Sequence, residues 1–339
     1  MRRPSLLAVV LVLATSVSGC GVLGIGDEPA DIQVYSARHY DLEQAFVTFE
    51  KETGTTVEFI YGDDAELLER LKAEGDQTPA DVFMTVDAGS LWNAADQGEL
   101  TPLSSPTLDA AVPEDLRDPD GRWFGLALRA RTVSYNPDNV DPSEFDGAQT
   151  YAGLTDPKWQ GRLCMRDSTA SYTQSLVASL IDLYGHDRAL AIVEGWVAND
   201  VDIMSNDILL LEAIDAGQCD VGITNHYYLA RELEEKPDLN VDLFWASQEG
   251  AGTHVNVSGA GVVKSSDAPK KAQQLIEWLA TTGQNDFVDA NHEYPVNPDV
   301  EPEPLIAEFG QFDRMPLNAE AYGQLNAEAV DLMAEAGYK

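Results

Sequence analysis

From Ile32 onward, short apolar runs alternate with stretches whose apolar residues recur at helical spacing, and this alternation fixes the fold class. Ile32-Gln33-Val34-Tyr35 reads as a strand. Leu42, Ala45, Phe46 and Phe49 then follow at helical spacing, with Asp41 as N-cap, Gln44 three residues on and Gly54 as terminator. Val57 to Ile60, Asp81 to Val86, Arg162 to Met165 and Asp220 to Thr224 repeat the strand pattern. Helical stretches run over 65–74, 91–97, 171–184 and 227–235, with further helices reaching about Gly217. Such alternation predicts parallel sheet covered by helices on both faces. The segment 101–121, rich in Pro, Asp and Gly, reads as surface loop. Phe124 to Tyr135 and Val255 to Val263 are extended, and Asn136-Pro137 breaks the first. Helices follow over 269–280 and 319–336. The pattern describes two α/β units with crossing strands between them.

The N-terminus indicates the compartment. Arg2 and Arg3 precede the apolar run Leu6 to Ala14, and Val17-Ser18-Gly19-Cys20 follows. A basic start, a short apolar stretch and small residues describe an export signal, and the run is too short to span a bilayer. Residues 1–19 are therefore expected as signal peptide and 20–30 as tether. The end of the signal resembles a bacterial lipobox, which implies lipid on Cys20; an ordinary secretory signal with an incidental cysteine is the alternative. Gly19, Gly21 and Gly24 match a dinucleotide fingerprint, but they do not lie between strand and helix, so the match carries nothing.

The formal charge is −37, and it grows more negative when Arg2 and Arg3 leave with the signal. A surface that acidic repels nucleic acid and anionic membranes and concentrates cations. Besides Cys20 there are two cysteines, Cys164 and Cys219. In an exported protein a bridge between them is expected; two buried thiols are the alternative. The absence of any C-x-x-C removes redox and zinc-ribbon readings.

Three polar signatures lie where strands give way to helices: Arg38-His39-Tyr40, Ser168-Thr169-Ala170-Ser171-Tyr172 and Asn225-His226-Tyr227-Tyr228. Ligands of open α/β sheets bind beyond the carboxyl ends of strands. Four phenols and one or two imidazoles form a hard, anionic donor set that suits a small trivalent cation. Helix N-termini favour the anionic form of nearby groups, and a highly charged ion completes the deprotonation. Arginine would offset the excess negative charge of four phenolates around a 3+ ion. Arg231, four residues after Tyr227 and three after Tyr228, can share their helix face. Arg38, Arg129 and Arg131 are further candidates, and ordinary surface ion pairs are the alternative for the last two. Tyr35, Tyr61, Tyr135 and Tyr184 are expected in the core or at its rim.

The chain resembles the ferric-iron-binding proteins of bacterial ABC iron importers, the bacterial transferrins, and within them the tyrosine-rich group that needs no carbonate. The likeness runs from Ile32 to the C-terminus, through Val34 to Tyr40, Pro79-Ala80-Asp81-Val82, Trp123-Phe124-Gly125, Asp156-Pro157-Lys158-Trp159, Asn225 to Arg231 and Gly252 to Gly261. By position it implies Fe3+ ligands at His39, Tyr40, Tyr172, Tyr227 and Tyr228, with Arg38, Arg129, Arg131 and Arg231 behind them. It also implies a type II periplasmic-binding-protein fold closing on its cargo like a hinged trap. Lobe I is expected over 31–130 and 255–303, and lobe II over 131–254 and 304–339. The implied protein is a monomer on the outer face of the cell membrane, held by its lipid, serving an ABC permease and its ATPase. His226 departs from the resemblance, since relatives usually carry a small or hydroxylated residue there; it is expected to face solvent, with an added imidazole ligand as the alternative.

Two other classes compete. A metal-dependent hydrolase would want H-E-x-x-H, G-x-S-x-G or a motif-level acid–base pair, and the chain has none. A two-lobed binder of an anion would want helix N-termini free of phenols, and a polyamine binder would want carboxylates with aromatic walls.

Overall fold

The computed structural model describes residues 30–38 and 43–339. Cys20, His39, Tyr40 and the Asp41 cap lie outside the described residues. Ten strands form one sheet: β1 (Ile32–Ser36), β2 (Val57–Tyr61), β3 (Val82–Thr85), β4 (Phe124–Tyr135), β5 (Leu163–Arg166), β6 (Asp202–Met204), β7 (Val221–Asn225), β8 (Asp242–Phe244), β9 (His254–Val262) and β10 (Tyr294–Pro295). Their order is β2-β1-β3-β9-β4-β7-β5-β6, with β8 and β10 both pairing β4. At each end the strands run parallel, β1 with β2 and β3, and β5 with β6 and β7. In the middle β9 and β4 run antiparallel to their neighbours. The expected parallel units are thus joined into one mixed sheet, because the two long extended segments pair with each other as well as with their own unit.

The helices needed to place the site are α1 (Glu43–Thr53), α2 (Asp64–Glu74), α3 (Ala88–Asp96), α4 (Pro106–Ala111), α5 (Thr150–Gly153), α6 (Ser171–Tyr184), α7 (His186–Ala198), α8 (Asp207–Asp215), α9 (His226–Glu235), α10 (Pro269–Leu279), α11 (Gln284–Asp289), α12 (Pro304–Glu308) and α13 (Ala319–Glu335). The expected loop 101–121 contains α4, begun by Pro106 in the first turn and capped by Ser105, whose hydroxyl accepts from Leu108 N. Pro at that position suits a helix start, which composition alone reads as a breaker. Gly54 ends α1 at φ +70°, a conformation that costs glycine little.

Apolar packing divides along β4. Residues from Phe124 to Ala130 belong to a core shared with β1, β3, β9 and α10, whereas Val133 and Tyr135 join a second core with α6, α7 and Trp159. A smaller cluster gathers Cys164, Leu210, Leu211, Cys219, Tyr227 and Tyr228. Cys164 and Cys219 are joined, with their Cα atoms 5.9 Å apart. This cross-link ties β5 to the turn that leads into β7. α13 packs on both α3 and α6. Its approach to α3 requires Gly89, where an added Cβ would meet Gly323 N at 2.8 Å.

Candidate functional site

A cavity of 540 Å³ opens at the carboxyl ends of the strands, lined among others by Tyr172, Tyr227, Tyr228, Arg129 and Arg166. Tyr172 is the second residue of α6, and Tyr227 and Tyr228 are the second and third of α9. Both helices begin directly above strands β5 and β7, so neighbouring parallel strands deliver the three phenols to one place. The Tyr227 and Tyr228 ring centroids are 4.4 Å apart. Adjacent helix positions normally diverge, yet both side chains line the same cavity.

Arginines surround the phenols. Arg129 lies 5.0 Å from the Tyr227 ring centroid, Arg131 5.0 Å from that of Tyr172, and Arg231 6.0 Å from that of Tyr228. Arg166, the last residue of β5, lies 5.9 Å from the Tyr172 centroid. Arg129 and Arg131 are buried, at 5% and 3% exposure, so the surface ion-pair alternative for them fails. Arg129 binds Glu293, and Arg131 Nη1 donates to Asp207 Oδ1 at 3.0 Å. Arg38 is fully buried, also bound to Glu293, and donates to the Phe287 carbonyl at 2.8 Å. Arg231 Nη2 donates to Asn291 Oδ1.

Burial pushes the Tyr227 phenol up to about 12, although Arg129 beside it acts in the opposite direction. Asn225 Nδ2 donates to its oxygen at 3.0 Å, which favours the anion. Burial opposes the charge on Arg129, but Glu293 and Tyr227 more than restore it. The Glu293 carboxyl would rise on burial, yet Arg129 and Arg38 hold it below the usual range. Across the cavity, burial and the nearby Asp87 carboxylate push half-buried Asp64 up to about 7.

His226 corrects an expectation. It is fully buried rather than solvent-facing, and its Nδ1 accepts from Ala130 N at 3.1 Å. Its ring lies 4.9 Å from that of Tyr294, and burial pushes it down to about 4. It packs behind Tyr227 as a neutral core imidazole that fastens α9 to β4. Tyr35 and Tyr135 are core residues as expected, whereas Tyr61 is exposed.

Sequence reasoning missed Arg166, Asp207, Glu293 and Tyr322. Arg166 was findable as the C-terminal residue of a predicted strand. Tyr322 and Asn326 reach the cavity wall from α13, and nothing local marks them. Among the described residues, no group of three or more His, Cys, Asp or Glu side chains could hold a metal ion. The cavity offers phenols backed by guanidiniums on one wall and the carboxyls of Asp63, Asp64 and Asp87 on another.

A fold of two α/β units about crossing strands, with a cavity at the strand ends, defines a binding protein of the periplasmic type. Residues 44–312 match the bacterial extracellular solute-binding proteins, and the chain belongs to that family. Iron uptake protein A1 of Synechocystis sp. (strain ATCC 27184 / PCC 6803 / Kazusa) is 41% identical over 97% of this chain and 95% of its own. The Fe(3+)-binding periplasmic protein of Serratia marcescens is 30% identical over 99% of this chain and 98% of its own. Among solved structures, the Trichodesmium protein (IdiA, FutA) in complex with iron and citrate ligands superposes with a TM-score of 0.84. It is 42% identical, over 91% of this chain and 99% of its own.

Proposed function

We propose that this chain captures Fe3+ between two lobes through the phenolates of Tyr172, Tyr227 and Tyr228, joined by Tyr40 and His39, and delivers it to an ABC permease and its ATPase. The chain is an extracytoplasmic ferric-iron-binding transport protein rather than an enzyme. The observation that carries the ligand reading is the convergence of three phenols from two helix starts on one cavity, each faced by an arginine.

Phenolate oxygens are hard donors, and three or four of them neutralise a 3+ ion. The buried arginines stabilise the anions without competing as ligands. His226 is not a ligand in this reading, since it is buried behind Tyr227 and does not line the cavity. Lobe I over 31–130 and 255–303, and lobe II over 131–254 and 304–339, would close about β4 and β9. Ligands from both lobes make closure and metal binding one event, so the closed form marks a loaded carrier. No helix among the described residues is long and apolar enough to cross a membrane. Attachment through a lipid on Cys20, and action as a monomer, complete the reading.

The test is Tyr→Phe at 40, 172, 227 and 228, singly, with ferric affinity and the visible phenolate-to-iron absorbance measured for each. Each change should weaken binding and shift the band while the fold persists. Four variants that bind and colour like the parent would overturn the tyrosine site.

A further inference from the structure

Behind the phenols lie two wholly buried carboxylates, and each is held between two arginines. Glu293 binds Arg38 and Arg129. Asp207 binds Arg131, Nη1 to Oδ1 at 3.0 Å, and faces Arg166, Nε to Oδ2 at 3.7 Å. Both carboxylates are 0% exposed. They come from unrelated places, the loop after α11 and the first residue of α8, yet they make the same arrangement beside the phenol cluster.

Four guanidiniums against these two carboxylates and Asp167, which also binds Arg166, leave a formal excess of one positive charge. Unpaired donors outnumber unpaired acceptors: Arg38 Nε, Arg129 Nη2, Arg131 Nε and Arg166 Nε are buried without a hydrogen-bond partner, against Asp207 Oδ2 alone among the two carboxylates. Three of these arginines face phenol rings, Arg129 at Tyr227 and both Arg131 and Arg166 at Tyr172. The fourth, Arg38, directly precedes His39-Tyr40. Stability alone is a poor reason for such a layer, because buried ion pairs are often no better than apolar packing. An excess of buried positive charge is relieved when the adjacent phenols become anions.

We infer that Glu293 and Asp207 are positioning residues: they orient the four arginines against the phenols and limit the positive excess behind them, which sets how strongly the site prefers Fe3+ to Fe2+. This rests on the ferric-phenolate reading above. The sign follows from charge. Removing one buried carboxylate raises the positive excess near the metal and favours the ion of lower charge. Removing Arg38 lowers the excess and favours the higher.

The experiment is a potential-controlled titration of the iron-loaded exported protein, followed by visible absorbance, with ferric and ferrous affinities compared. Glu293→Gln and Asp207→Asn should each lower the ferric-to-ferrous affinity ratio at least tenfold, a rise of about 59 mV for one electron. Glu293→Asp keeps the charge and should stay within about twofold of the parent. Arg38→Met should raise the ratio, a change of opposite sign that loss of packing would not produce, and it keeps the test open if a carboxylate variant fails to fold. A ratio unmoved in the carboxylate variants, or moved in the same direction by Arg38→Met, overturns the inference while leaving the phenolate site standing. A parent that gives no visible band with ferric salt overturns the site reading, and the inference with it.

Discussion

The Arg129 guanidinium faces the Tyr227 ring, 5.0 Å from its centroid, while its Nε is bound to Glu293 and its Nη2 is buried without a partner. One side of the group is thus neutralised and the other is turned to a phenol. Arg129→Gln should lower ferric affinity by about tenfold to a hundredfold, in line with roughly 1.5–3 kcal/mol for an interaction with a charged group. Glu293 would keep only Arg38, so chemical denaturation should also show a loss of about 1–3 kcal/mol in the metal-free protein. Isothermal or chelator-competition titration of iron checks the first effect.

Iron binding should release protons. Burial holds Tyr227 up to about 12, so its phenol is protonated in the empty site at neutral pH and must lose its proton to coordinate. Below that value, affinity should rise with pH by about tenfold per unit for each phenol that ionises. Acidification therefore unloads the carrier. Competition against a chelator of known pH behaviour gives the slope, and Tyr227→Phe should reduce it by about one.

The Cys164–Cys219 link closes a separation of 55 residues. The chain-entropy relation gives roughly 4 kcal/mol of stabilisation for a loop of that size. The double change Cys164→Ala and Cys219→Ala should lower unfolding stability by a few kcal/mol. It should also weaken iron binding modestly, because the link steadies the strands below Tyr172 and Tyr227. Equal stability of the bridged and alanine proteins in urea would refute the stabilising role.

His254 joins three elements. It lies on β9, with Nδ1 3.2 Å from the Tyr322 hydroxyl of α13 and Nε2 3.3 Å from the Ser175 hydroxyl of α6. Burial, reinforced by Arg131, pushes it down to about 3 from an ordinary 6.5. Between those values the unfolded chain binds a proton that the folded one refuses, so stability falls as pH drops below about 6.5. The loss by pH 5 should be about 2 kcal/mol from this residue. Urea unfolding at pH 7 and pH 5 measures it, and His254→Gln should flatten the difference.

Much of this architecture is written locally. The strands of Ile32–Ser36, Leu163–Arg166 and Val221–Asn225 and the helices of Ser171–Tyr184 and His226–Glu235 fall within a residue or two of their sequence reading. Periodicity specifies which face of each element is apolar, and Gly54 supplies a stop that acts within its own turn. The segment 101–121 was misread because Pro106 opens a helix there instead of ending one. The short β6, β8 and β10 carry too few residues to show a period.

By itself the sequence determined an exported-type α/β chain whose tyrosines stand just after strands, since strand ends and helix starts are local events. Tertiary structure decided that Tyr172, Tyr227 and Tyr228 share one cavity, because the parallel pairing of β5 with β7 brings the helix starts that follow them to the same sheet end. It also decided that His226 is a buried support rather than an exposed imidazole, since β4 and Tyr294 cover it from segments far along the chain. Glu293 and Asp207 were invisible for the same reason. A lone carboxylate in a chain this acidic looks like solvated surface until packing places two arginines against it and removes the water.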